Sequence, residues 1–181
     1  DDGGCVESLK QLAIPGSDRI LDLGDCLNVL VAQGRLSTET AEQLSMLRRA
    51  GSSETAKLHP LEFIAGQAPE DRARPGKTLD IDTLSRWLAD ESEQPFYRID
   101  PLKINVAAVT PLMSFAFAQR HRILALEVSE REVVIASAQP FVSSWETNLI
   151  HVLKREIRRV VANPADIQRY SVEFYRLARS V

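Results

Sequence analysis

At 181 residues, with 44% hydrophobic and 26% charged side chains and a net charge of -3, the chain has the make-up of one ordinary globular domain or two small ones. A balance this close to neutral gives no electrostatic case for nucleic acid, which calls for a clear basic excess. The longest apolar run, Val106 to Ala118, is interrupted by Thr110, Pro111 and Ser114 and falls short of the roughly 20 residues that span a bilayer.

Residues 1–18 hold Gly3, Gly4, Pro15, Gly16 and Ser17 around one apolar patch, Leu9/Leu12/Ile14, and read as a flexible lead-in with at most a helical turn. The opening Asp1-Asp2-Gly3-Gly4 lacks the form of a secretory leader. Sparing use of cysteine, Cys5 and Cys26 with no bridge expected, suits a reducing, cytoplasmic setting. A helical domain is expected over 19–66. Leu23, Leu27, Leu30 and Val31 share one face, and Gly34 sits where a left-handed C-terminal residue belongs. Ser37 caps a second helix with Ala41, Leu44 and Leu47 inward and Glu39, Glu42, Arg48 and Arg49 outward. A short third helix starts near His59-Pro60.

Residues 67–78 read as a linker, poor in apolar side chains and punctuated by Pro69, Pro75 and Gly76. A connecting helix capped by Asp80, with Ile81, Leu84, Trp87 and Leu88 on one side, and an extended passage through Val106 fill 79–108. From 109 onward the pattern gives helix, strand, strand, helix, strand, helix. Thr110 and Pro111 open the first helix, and Leu112 and Phe115 face a core. Alternation over Ile123–Val128 and the run Val133–Ala136 flank a polar turn and predict an antiparallel hairpin. Trp145, Leu149, Val152 and Leu153 form the inner side of the next helix; Ile157, Val160 and Val161 form a third strand. Asn163-Pro164 opens a last helix packed through Ile167, Phe174 and Leu177. The expected fold class is α+β: a helical segment, then a small α-β-β-α-β-α domain with a three-stranded sheet.

Catalytic signals are missing. A phosphate loop ending in Gly76-Lys77-Thr78 needs a glycine where Asp71 stands, and no strand precedes it. His59, His121 and His151 have no metal-ligand spacing, no cysteine pair has zinc spacing, and Asp80-Ile81-Asp82 lacks a calcium loop's glycine. No catalytic residue, cofactor or metal is expected. Lys154, Arg155, Arg158 and Arg159, with Glu156 among them, read as a solvated face or as a docking patch for an acidic partner.

Between Val109 and Tyr175 the chain reads P-L-M-S-F-A-F-A-Q-R-H-R-I-L-A-L, then E-V-V-I-A-S-A-Q-P, then E-I-R-R-V-V-A-N-P-A-D-I-Q-R-Y. In this order the pieces resemble the N-terminal domain preceding the motor of type II secretion and type IV pilus assembly ATPases. Gln139 stands where an acidic residue or Asn is usual, and Ala125 where a proline is common. Upstream, Leu30 to Ser37 with Glu39 and Leu44 is similar to one repeat of a tandem module that binds cyclic di-GMP, and a second candidate repeat begins at His59-Pro60-Leu61. That module opens with Arg-Leu-Gly; counted back from Gly34, this chain has Asp25-Cys26-Leu27, without the arginine that would meet a phosphate. The resemblance implies a non-catalytic adaptor without the motor, peripheral to the inner membrane through protein partners. It would dock the motor, hexameric in the family, to the cytoplasmic domain of an inner-membrane platform protein. Cyclic di-GMP sensing is the alternative. Arg35, Arg48, Arg49, Arg155, Arg158 and Arg159 are the candidate partner contacts.

Overall fold

A computed structural model describes residues 6–180. Cys5 and the glycines beside it lie outside the described residues. The helical part consists of α1 (Leu23–Ala32), α2 (Thr38–Ala50), α3 (Ser53–Ala56), α4 (Pro60–Gly66) and α5 (Ile81–Ser92). Each opens on a side chain that accepts a hydrogen bond from the first turn: Asp22, Ser37, Ser52, His59 and Asp80. Gly34 takes φ +72° just beyond α1, where a side-chain-bearing residue would be strained.

After α5 come α6 (Val106–Val109), α7 (Phe115–His121), β1 (Ile123–Val128), β2 (Glu132–Ser137), α8 (Ser144–Leu153), β3 (Glu156–Val161) and α9 (Pro164–Arg179). The sheet order is β1-β2-β3, with β1 antiparallel and β3 parallel to β2, so α8 is the crossover that parallel pairing demands. This is the expected α+β class. Ile123 to Leu126 and Val133 to Ala138 are buried in unbroken runs, as in a sheet covered on both faces. Neighbouring side chains on β3 point to opposite faces, and they serve different cores. Val160 packs with the α+β residues, Val161 with the helical ones. Tyr97 N–H donates to Val161 O at 2.8 Å, and Val161 N–H donates to Pro95 O at 2.9 Å, a single parallel bridge beyond β3.

Several local expectations change. The helix expected at Thr110 begins at Ser114, because Met113 is extended at φ -155° and Ser114 Oγ accepts from Phe117 N–H at 3.1 Å. Thr110 instead donates its hydroxyl to Val106 O at 2.8 Å, prolonging the preceding turn. Residues 101–103 form a 3-10 turn and leave Leu102 94% exposed. Leu47, Val152 and Leu177, placed inward by periodicity, are exposed, because α2, α8 and α9 each bury only a narrow stripe.

The stretch expected as a linker is pinned. Asp71 is fully buried, Arg72 N–H donates to Arg35 O at 3.0 Å, and Leu79 N–H donates to Pro69 O at 2.9 Å. Within the lead-in, Leu9 is buried and donates its N–H to Glu91 Oε1 at 2.9 Å, which ties the 3-10 turn Leu9–Leu12 to α5. The helix expected as a connector, α5, belongs to the helical core through Leu84, Trp87, Leu88 and Ala89.

Candidate functional site

The two parts of the chain meet where β2 ends. His59 caps α4 through Nδ1, which accepts from Leu61 N–H at 3.0 Å, so Nε2 carries the proton it donates to Ala138 O at 2.8 Å. Next to it, Leu21 N–H donates to Gln139 Oε1 at 2.9 Å and Arg19 N–H to Phe141 O at 3.0 Å. Asp18 Oδ1 accepts from the N–H groups of Ser143 and Ser144. Arg159 reaches the same segment from β3, donating to Val142 O at 2.8 Å and Gln139 O at 3.1 Å, pairing with Glu146 at 3.2 Å and lying 5.0 Å over the Trp145 ring. One segment, 138–146, running from the end of β2 into the first turn of α8, thus collects bonds from a strap formed by residues 18–21, from the α4 cap and from β3.

Beside this joint lies a cleft of about 360 Å³. Lys57, Leu58, His59 and Glu62 form one wall; Gln119 and Arg122 close α7, and Ala138, Gln139, Pro164, Ile167 and Gln168 complete the rim. Burial raises the Glu62 carboxyl above its usual range, against the pull of Arg122. Burial also drives the His59 pKa down to about 4, outweighing the bond to Ala138. His59 is therefore neutral in the folded state, while the unfolded chain protonates it near 6.5. Its contribution is full above about pH 6.5 and is lost as pH falls toward 4, a change of about 3 kcal/mol. Urea unfolding of the wild type should show that decline, and His59→Asn should flatten it between those limits; a wild-type midpoint that is constant there would contradict this account.

The six arginines separate into two classes. Arg35 is bidentate to Asp71, Nε to Oδ1 at 3.0 Å and a terminal nitrogen to Oδ2 at 2.8 Å, with Arg74 completing the cluster at 2.9 Å. Arg48 donates to Ala56 O and Leu58 O and lies 5.1 Å over Phe63. Arg159 is only 12% exposed. These three brace the fold. Arg49 is exposed and bonds only within its own helix, Arg155 is half-buried with no ion pair among the described residues, and Arg158, 60% exposed, stands 3.9 Å from Glu132. Asp25, where the dinucleotide module would have arginine, is paired with Arg19 at 2.8 Å. Burial pushes the neighbouring Cys26 thiol up to about 12. The three histidines lie on separate elements, and among the described residues no group of acids, histidines or cysteines could hold a metal. No helix among them is long and apolar enough to cross a membrane.

Sequence reasoning missed the joint. His59 before Pro60 was legible as a helix start, but its second bond reaches a residue 79 positions away.

Comparison with known proteins gives these features a family. Residues 92–181 match the MshEN domain. The type IV pilus assembly ATPase TfpB of Acinetobacter baylyi is 38% identical over 162 residues, which cover 89% of this chain and 27% of that protein. A solved structure of MshE with cdg superposes with a TM-score of 0.55 at 22% identity, over 86% of this chain and 99% of that one. The N-terminal domain of XpsE gives 0.47 at 9% identity, over 84% and 96%. Residues 92–181 thus form an MshEN domain, and the chain is homologous to the N-terminal part of a type IV pilus assembly ATPase.

Proposed function

We propose that this region is an adaptor, docking an ATPase motor to the cytoplasmic domain of an inner-membrane platform protein at the cytoplasmic face of that membrane. The helical part carries the docking surface, and the α+β part packs against the motor or a neighbouring subunit. The observation that carries the assignment is the outer side of α2. Only Leu44 of this helix is buried, while Met46 and Leu47 stand 64% and 50% exposed beside Arg49. An apolar pair rimmed by a cation is the composition of an interface centre rather than of a solvated helix face.

Deleting residues 1–66 would remove the His59 bond and the strap along with α2, so substitution is the cleaner test. Met46→Glu with Leu47→Glu should weaken binding to the purified cytoplasmic domain of the platform protein by at least tenfold while leaving the unfolding midpoint nearly unchanged, since both side chains already meet water. Undiminished binding would remove α2 from the interface.

A second reading, cyclic di-GMP sensing, is favoured by the cleft, where Lys57 and Arg122 offer cations, and by the fold shared with MshE, solved with cdg. Against it stands the absent arginine at Asp25. Calorimetric titration with cyclic di-GMP distinguishes the readings, and a micromolar response, about 8 kcal/mol of binding, would favour the sensor.

A further inference from the structure

We infer that the outer edge of β3 is a self-association site, which pairs antiparallel with β3 of a second copy of this chain about a two-fold axis at Ile157. β3 is last in the sheet, and the phase of its hydrogen bonds is fixed by Glu156 N–H, which donates to Arg131 O at 2.8 Å. Glu156, Arg158 and Val160 therefore bond inward to β2, and the main-chain groups of Ile157, Arg159 and Val161 point outward. Val161 is satisfied by Pro95 and Tyr97. Ile157 and Arg159 have no corresponding partner among the described residues. α5 touches β3, whose Val161 packs in the helical core with Leu84, Trp87 and Leu88, and among the described residues no further strand pairs with Glu156–Arg159. Such an edge is a template for another strand unless its side chains forbid it.

The side chains here select the partner. Antiparallel pairing through Ile157 sets Ile157 against itself, Glu156 against the second copy's Arg158, and Arg158 against the second copy's Glu156. Both charges are exposed, and Arg158 is held only loosely by Glu132 at 3.9 Å. The outward groups of Ile157 and Arg159 then form the hydrogen-bonded pairs, Arg159 lying opposite Arg155. That like-charge pair is muted, because the Arg159 guanidinium is drawn back to Glu146 and the carbonyls of Val142 and Gln139. Centring the pair on Arg158 instead would set that arginine against itself, a destabilising arrangement. Pairing ends where Val161 is already bonded, so residues 155–159 of each copy take part. A contact this short lies below the roughly 1,000 Å² of a stable interface. The association is therefore weak between free copies and strengthens where copies are held side by side, at high local concentration. The inference is independent of where the platform protein docks.

A charge swap tests it. By sedimentation across a concentration series, the wild type should associate weakly, and Glu156→Arg and Arg158→Glu should each associate at least tenfold more weakly, with far-UV dichroism confirming the fold. An equimolar mixture of the two variants should associate again, because each supplies the charge the other lacks. Amide exchange at Ile157 and Arg159 should slow as wild-type concentration rises, while Arg158, already bonded to β2, stays constant. A wild type that remains monomeric throughout, single variants that associate like the wild type, or a mixture that stays monomeric would overturn the inference. Protection of those two amides only on adding an acidic extended peptide would also overturn it, reassigning the edge to a foreign strand.

Discussion

Asp71→Ala should lower stability by about 3 kcal/mol, the low end of what is lost when one partner of a buried ion cluster is removed. Asp71 has no exposed side-chain surface, whereas Arg35 keeps 22% and Arg74 47%, so the damage centres on the carboxylate's site. The carboxylate accepts from Arg35 twice, from Arg74 and from Ala73 N–H at 3.0 Å. Those bonds, Arg35's foremost, hold its pKa at about 2. Its folded pKa being depressed, the stabilisation is complete above the unfolded value near 4 and is lost as pH falls through 2. With a urea slope of about 2 kcal/mol/M the midpoint should drop by more than ~1 M. Asp71→Ala combined with Arg35→Met should recover part of the loss, since much of it is the orphaned guanidinium. A single variant within ~0.5 kcal/mol of the wild type would show that the cluster contributes little beyond ordering the loop.

Trp145→Ala should cost about 3–5 kcal/mol. The indole is 1% exposed in the α+β core and supports the Arg159 guanidinium from below. Truncation therefore opens a cavity and removes the surface against which Arg159 is held toward Val142 and Gln139. Trp145→Phe should cost much less, because the buried indole Nε1–H has no hydrogen-bond partner and phenylalanine discards it. Urea denaturation of the two variants separates these effects. Equal losses for alanine and phenylalanine would mean that indole shape, rather than apolar volume, dominates.

The elements themselves were largely legible, for reasons that particular residues make clear. Capping side chains at Ser37, Asp80 and Asn163 act within one helical turn, so each start could be read from a few neighbouring letters. The hairpin was similarly local. Thr110 misled because Ser114 offers the same cap chemistry a turn later, and the choice rests on the extended backbone of Met113. Exposure of Leu47, Val152 and Leu177 depends on how wide a stripe the rest of the fold covers, which helical spacing alone does not encode. The joint and the Asp71 cluster were illegible for a different reason. Arg35 and Asp71 are 36 positions apart, and Asp71 sits in a stretch whose composition is that of solvent-facing loops. Among the arginines, sequence could group Arg155, Arg158 and Arg159 but not say that Arg159 turns inward, since that follows from its place on the face of β3 toward Glu146 and Trp145.

The bonds that close the first strap span most of the molecule: Asp18 to Ser143 across 125 positions and Leu21 to Gln139 across 118. A ribosome delivers Asp18 long before Ser143. During synthesis the early helices can pack with one another, but the strap and His59 find their hydrogen-bond partners only once β2 and the loop after it have left the exit tunnel. Contacts of such separation form late and slow the final step. Nascent chains arrested before Ala138 should therefore present an unfastened amino-terminal half, the stage at which a chaperone has most to hold.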